Sequence, residues 1–403
     1  MGYSLGFVFL AILNFASHSW AASPYQDKLL EELLLAEPGT VIEIPEGRYE
    51  IDVQLSLTVD NVTIRGQGAG KSVLNFKGQK EGGEGLLVTS SFVTLENFSI
   101  EDTPADAIKV SYAEGITLRG LEVKWTRGPH TNNGAYGIYP VRTKDVLVEG
   151  CYVSGASDAG IYVGQSSNVI IRRNVAENNV AGIEVENSSN VDVYHNYATN
   201  NTGGLLVFDL PDLKTYIKDV RVFGNTIVDN NTTNFAAPSN SVADVPRGTG
   251  LMIMSSSGVE VFDNLIRDHG TANILLTSYV ITERPINDPN FDPYVERIYI
   301  HHNTIANGGF APEGGSSEGT KQTVAALKEL LGTPLPDIIW PGFRNPAHID
   351  ASGKLKDDFK ICIQHNNTAN FVDLDLENNL EKMSFDLSAH DCKHAPIPEA
   401  SLP

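Results

Sequence analysis

The sequence predicts an all-β chain wound as a parallel β-helix, and three observations carry that prediction. The first is a repeat. From Gly160 the chain reads as two copies of one 22-residue phrase, GIYVGQSSNVIIRRNVAENNVA and GIEVENSSNVDVYHNYATNNTG, and a period in the low twenties belongs to solenoids. The second is a recurring Val or Ile at Val62, Val93, Ile116, Val146, Val169, Val191, Val220, Val259, Ile298 and Ile361. Spacing beyond the bare repeat is loop inserted at a corner. The third is alternation in runs such as Ile161-Tyr162-Val163 and Val169-Ile170-Ile171, which points one side chain in and the next out. Strands this short can bury their apolar face only on the coils above and below, which requires parallel pairing. Helical repeats are excluded by these strand-rich units punctuated with Gly and Asn.

An Asn recurs at the corner after the second strand, at Asn97, Asn174, Asn196, Asn225, Asn264, Asn303 and Asn366. Asn tolerates the left-handed conformation and its amide bonds neighbouring backbone, so stacked copies are expected to form an internal ladder. Asn200 is expected at an exposed corner.

At 403 residues and 41% hydrophobic the chain can bury a large core as one solenoid. Its net charge of −21 argues against nucleic acid as a partner, which takes a basic patch to neutralise. It also weighs against a polyanionic substrate unless a local basic groove or bound calcium reverses the sign. Residues 1–21 read as a signal peptide cut after Ala21 or nearby, with Leu5 to Phe15 as its apolar core and Ser19-Trp20-Ala21 offering small residues for cleavage. An uncleaved anchor is the alternative, though the apolar run is shorter than the roughly 20 residues of a membrane span. A periplasmic or secreted protein free of the membrane after cleavage is expected. Residues 22–308 then form the β-helix. Within them residues 25–35 have helical spacing and should cap the open first coil. Residues 309–360 interrupt the repeat as a lateral excursion, with a short helix over 323–331 and a Pro-rich run over 334–346. Residues 361–403 hold the last coil and an irregular tail. Cys362 and Cys392 are candidates for a disulfide pinning that tail, while Cys151 in strand context reads as a buried small hydrophobe. No haem-attachment motif surrounds Cys392, and no clustered zinc ligands occur along the chain.

Insertions mark where function would sit. Residues 124–136 and 229–249 precede first strands, whereas residues 209–218 and 278–296 follow them. Loops on both edges would make the first-strand face the floor of a groove. Its outward column reads Lys109, Tyr139, Tyr162, Glu184, Leu206, Met252 and Leu275, polar and aromatic at first and apolar later. A polar, aromatic floor suits sugars, whose rings stack on aromatics while their hydroxyls bond charged groups.

The coils GIYVGQSSNVIIRRNVAENN and GLMIMSSSGVEVFDNLIRDHG resemble the right-handed parallel β-helix repeats of secreted carbohydrate-binding and sugar-cleaving proteins. That superfamily holds pectate lyases, alginate lyases and mannuronan C5-epimerases. The run Thr202-Gly203-Gly204-Leu205-Leu206-Val207-Phe208-Asp209-Leu210-Pro211, with Pro246-Arg247-Gly248-Thr249-Gly250, resembles a narrower group of bacterial β-helix proteins often encoded beside a dihaem c-type cytochrome-like protein. The resemblance implies a right-handed winding, a polysaccharide partner and, for the narrower group, a periplasmic c-type haem protein as a second partner.

Two functions follow. The first is a lyase or C5-epimerase on an acidic polysaccharide, which needs a cation to neutralise the carboxylate, a base for the C5 proton and a group to return one. His130, Tyr139, Arg127 and Tyr136 are the candidate catalytic residues. Lys109, Arg142, Tyr162, Glu184, Asp158 and Asp209 are candidates for substrate binding. Glu184 with Asp158 or Asp209 could instead serve a hydrolase, which needs two facing carboxylates. The Asp-Pro-His signature of mannuronan epimerases is absent, Gly128-Pro129-His130 keeping only its last two letters. No cofactor is expected, with calcium at Asp209/Asp212 or Asp288/Asp292 as the open alternative. The second function is a non-catalytic scaffold whose apolar half, Leu206, Met252 and Leu275, docks a protein partner.

Overall fold

Strands of three to eight residues hide their apolar side chains only by stacking, and the chain does this in three long parallel sheets. The computed structural model describes residues 23–403; the expected leader and its cleavage site lie outside them. Each coil but the last contributes a first, a second and a third short strand, and the three sheets contain 11, 11 and 10 strands. Neighbours in each sheet come from successive coils and all ladders between them are parallel. This is the right-handed parallel β-helix. The third sheet, of strands such as Val175–Glu177, was not apparent in the two-strand reading of the repeat.

The register follows the sequence period. Ile116, Val146, Val169, Val191, Val220, Val259, Ile298 and Ile361 stand directly above one another, and all are buried. Isolated strand pairs of this length would be marginal; burial on both neighbouring coils stabilises them.

Two amide ladders run inside the corners. Asn174 Nδ2 donates to Asn196 Oδ1 at 2.9 Å, and the pattern continues through Asn225, Asn264, Asn303 and Asn366 at 2.9 to 3.0 Å. Each Oδ1 also accepts the backbone N–H of the coil before it. These six are the Asn expected in the ladder, but the left-handed conformation belongs to the residue before each, as at Arg173, His195, Asp263 and His302. Asn97 falls on that preceding position: its φ is 62° and its side chain is exposed, while the buried Phe98 holds the ladder level. A second ladder, Asn179, Asn201 and Asn230, ends on the buried His269, whose Nδ1 meets Asn273 at 2.7 Å. Burial holds the His269 imidazole down to about 4, so it is neutral and can accept at one nitrogen while donating at the other.

Helix α1 (Pro24–Leu34) covers the first coil with Leu29 and Leu33 buried, and Ser23 caps it by accepting the Tyr25 N–H. Helix α2 (Glu318–Leu331) begins five residues earlier than the sequence suggests, with Ser317 as its cap. The excursion is not wholly lateral. Its apolar run Ile338–Trp340, between Pro336 and Pro341, returns to the first-strand sheet and pairs with the strands Ala272–Thr277 and Phe371–Asp373. Cys362 and Cys392 form a disulfide, and Cys151 is free and buried. Beyond the disulfide the tail runs back along the second-strand sheet. Ile397 N–H donates to Glu260 and Ala400 N–H to Asp192, at 3.0 and 3.3 Å, and Asn168 Nδ2 donates to the Ser401 carbonyl at 2.8 Å. Among the described residues no helix is long and apolar enough to cross a membrane.

Candidate functional site

The outward column of the first-strand sheet has the expected register. Lys109 lies beside Tyr139, Tyr162 beside Glu184, and Glu184 beside Leu206, followed by Met252 and Leu275. Outward does not mean exposed, however. Residues 235–245 fold over the column, so Leu206 and Met252 are buried with Ala236, Val242 and Val245. Further on, Leu275 packs with Leu327, Leu331 and Leu335 of the excursion. The apolar half is therefore covered by the chain itself and offers no open patch for a haem protein. Its apolar composition reflects an internal contact rather than an external one.

The polar half is only partly open: Lys109 and Tyr139 are half-buried, whereas Tyr162 and Glu184 are buried and Tyr162 packs in the same cluster as Leu206 and Val242. Three tyrosines form its centre, with ring centroids 4.4 Å apart for Tyr136–Tyr139, 4.9 Å for Tyr136–Tyr162 and 4.8 Å for Tyr139–Tyr162. Lys109 Nζ lies 5.1 Å from the Tyr139 ring, and pairs with Glu84 at 3.0 Å and Asp106 at 3.7 Å. Around them stands a group of carboxyls that burial makes hard to ionise. Asp158, 5% exposed, is pushed up to about 7 by burial and by the charges of Glu186 and Asp106, although the Tyr136 side chain and the Asn240 amide bond it. Burial also raises Asp106 and Glu186 to about 6, Glu186 accepting from the Tyr162 hydroxyl at 2.8 Å. Glu184 is 1% exposed, burial holds it well above the usual carboxylate range, and its Oε1 has no hydrogen-bond partner. Asp209 is raised to about 8 by burial, but both its oxygens accept the Ile217 N–H, which ties it to the loop that follows its strand. Strongly shifted groups gathered on one face are a mark of functional sites.

At one end of this face the first strands turn into the second strands, and a cavity of about 470 Å³ opens there. Tyr112, Glu114, Arg142, Lys144, Gln165 and Lys214 line it. Arg142 hydrogen-bonds the Tyr112 hydroxyl and Gln165 and stacks on the Tyr112 ring, which is 66% exposed. Among the described residues neither Arg142 nor Lys214 forms an ion pair. In a chain of net charge −21, this is a local concentration of free positive charge. Burial and the nearby carboxylates raise Tyr139 to about 12, with Arg142 opposing them.

The structure thus gathers Lys109, Tyr136, Tyr139, Tyr162, Asp158 and Glu184 on one face, with Arg142 at its end. It does not join Arg127 or His130 to them. Arg127 donates to Asn133 and to the Asn132 carbonyl, and His130 Nδ1 accepts the Asn132 N–H at 3.0 Å, so both are engaged within their own exposed loop. Asp106, Glu186, Tyr112 and Lys214 were missed. Glu186 could have been found: it lies two residues after Glu184, which puts both on the same face of one strand. The candidate calcium carboxylates serve other donors. Asp288 accepts from the Asp212 and Asn290 N–H groups and from the Tyr216 hydroxyl. One group of side chains able to hold a metal does occur among the described residues, Asp292, Glu296 and His348, of which only Asp292 was a candidate ligand in the sequence. Asp292 and Glu296 lie four residues apart, but His348 is 52 residues beyond Glu296, so only folding brings the three together.

Residues 52–216 match a family model described as the right handed beta helix region. Among solved structures, the A-module of mannuronan C-5 epimerase AlgE4 from Azotobacter vinelandii has a TM-score of 0.51 at 16% identity, over 71% of this chain and 84% of that one. The A-module of AlgE6 from the same organism has a TM-score of 0.47 at 17% identity, over 70% and 82% of the two chains. No curated protein matches the sequence. At these identities the likeness is one of fold, which many chemistries share.

Proposed function

We propose that the chain is an exported carbohydrate-active protein that binds an acidic polysaccharide across the partly open half of the first-strand face and acts on it as a lyase or C5-epimerase. The observation that carries this reading is the meeting of two opposite environments. Unpaired Arg142 and Lys214 offer a seat for a sugar carboxylate, and carboxyls whose proton affinity lies near neutral pH stand on the adjoining face.

Removing the C5 proton requires that the neighbouring carboxylate be neutralised, which a guanidinium does with paired hydrogen bonds. A base works best when its pKa lies near the working pH. Asp106 and Glu186, at about 6, meet that condition. Tyr139, its phenol protonated at about 12, would return the proton or protonate the departing oxygen. The Tyr112 and Tyr139 rings give sugar rings a surface to stack on. The Cys362–Cys392 disulfide supports passage through an oxidising compartment, and the fold shared with a mannuronan epimerase module agrees with a polymer laid along the coils.

The test is a panel of uronate and neutral polysaccharides assayed in deuterated water. Unsaturated uronate in the products identifies a lyase, and deuterium at C5 without cleavage identifies an epimerase. Arg142→Ala should raise KM for uronate polymers, and Tyr139→Phe should lower kcat. Cleavage of neutral polymers without unsaturation would replace this reading with a hydrolase built on Asp158, Glu184 and Glu186. Inertness toward every polymer, with no binding, would end the carbohydrate reading.

A further inference from the structure

Away from the groove, three side chains from two inserted segments converge. Asp292 and Glu296 close the loop that follows the strand Ala272–Thr277, and His348 comes from the excursion after Trp340. One potential ligand atom from each lies within 4.8 Å of the others. His348 Nδ1 is 2.7 Å from Glu296 Oε2, and its ring stacks on Phe359 with centroids 3.6 Å apart, which fixes its orientation. Asp292 is held by the Tyr294 N–H and by the Asn345 amide, each at 3.1 Å.

The Glu296 carboxyl is 2% exposed, and its second oxygen, Oε1, is buried with no hydrogen-bond partner. A buried carboxylate oxygen left unpaired costs more than an ordinary lost hydrogen bond. The His348 contact satisfies only the other oxygen. An ion pair alone therefore leaves this site unbalanced, with two carboxylates facing one imidazole. A cation would balance it.

We propose that Asp292, Glu296 and His348 bind a divalent first-row transition cation, of which zinc is the representative, and that the ion fastens the excursion to the loop before the strand Glu296–His301. Three protein ligands of mixed imidazole and carboxylate type suit zinc, with water completing the tetrahedron. Calcium fits poorly, because it takes six to eight oxygens and no imidazole. The Asn345 amide is a positioning group, orienting Asp292 as outer hydrogen bonds orient ligands in metal sites generally.

Isothermal titration of the full chain, stripped with chelator and titrated with zinc chloride, tests this, with the melting midpoint followed in parallel. One equivalent should bind, and the midpoint should rise with zinc concentration. Glu296→Gln preserves shape but removes the anionic oxygen, and it should abolish both signals; His348→Ala, at a partly exposed side chain, does the same should Glu296→Gln fail to fold. Asn345→Ala should weaken binding about 10-fold. Zinc binding unchanged in the Glu296→Gln/His348→Ala double variant would place the ion elsewhere, for instance at the adjoining rings of His301, His302 and His365 at the far end of the strand Glu296–His301, and overturn the proposal. So would the absence of stoichiometric binding, or calcium displacing zinc at equal concentration.

Discussion

Lys109, Tyr139 and Tyr162 occupy the same outward column as Leu206, Met252 and Leu275, in one continuous register, yet the two halves meet different surroundings. The first half keeps Lys109 and Tyr139 at a partly open edge, with Tyr162 buried under the near end of the roof, and holds a set of groups that exchange protons near neutral pH. The second is roofed by residues 235–245 and by α2 and the segment after it. The backbone beneath is the same parallel ladder in both halves. The difference teaches that in a solenoid the strands set where a side chain points, while the inserted loops decide what it meets.

The largest test of that contrast is Leu206→Ala. Leu206 is fully buried under the roof, so truncation should leave a cavity and cost ~2–5 kcal/mol, read as a lower urea midpoint. A surface-like response would mean that the roof does not rest on the column. Next comes the shared interior. Asn174 lies in the coil of Tyr162 and Asn264 in that of Met252, and both are buried ladder members. Asn174→Ala and Asn264→Ala should cost a similar ~1–3 kcal/mol through unpaired buried groups, whichever half lies above. Asn200→Ala, at an exposed corner, should change little. Unequal ladder effects would show that the halves differ inside as well as outside.

A pH difference sharpens the contrast further. Asp158, Glu186 and Asp209 have folded-state values raised from 3.8, 4.5 and 3.8 to about 7, 6 and 8, so the folded chain holds their protons more tightly than the unfolded chain. The stability they contribute is complete below about pH 4 and is lost as pH rises through 6 to 8, by about 1.4 kcal/mol per pH unit for each proton involved. His269, lowered from 6.5 to about 4, acts in the opposite direction at the acidic end. The quantity to follow is therefore the wild-type melting midpoint against Asp158→Asn between pH 5 and pH 8, where the variant should decline less. The smallest expected effect is on stability in Tyr139→Phe, at the partly open edge. It should stay within ~0.5 kcal/mol, so any loss of turnover in this variant would be chemical.

The interior was largely legible because its physics is periodic. Each coil must satisfy the same neighbours, and the recurring Val and Ile, the ladder Asn and the capping residues 25–35 report that demand directly. The second ladder was legible too and was overlooked, since Asn179 and Asn201 recur five residues after Asn174 and Asn196. The one-residue slip at Asn97 arose because Asn suits both the left-handed position and the ladder position after it. The roof was not legible, because nothing periodic ties Val245 to Leu206 or Leu331 to Leu275. The same holds for Arg142 and Lys214, and for Asp292, Glu296 and His348, which long loops bring together. Arg127 and His130 drew notice as chemistry-bearing residues near a groove, but Asn132 and Asn133 hold both in local bonds.

The returning tail changes how the molecule should come apart. A solenoid whose coils touch only their neighbours behaves like a one-dimensional chain of coupled units, free to fray from either end. Here the last residues leave the final coil at Cys392 and bond Glu260, Asp192 and Asn168 far back along the stack. Peeling the terminal coil would drag the tail off coils more than 200 residues earlier in the chain. The C-terminal half is thereby laced into a single cooperative block. Amide exchange there should proceed as one unit while the disulfide is intact, and should split into a gradient rising toward the chain end once it is reduced.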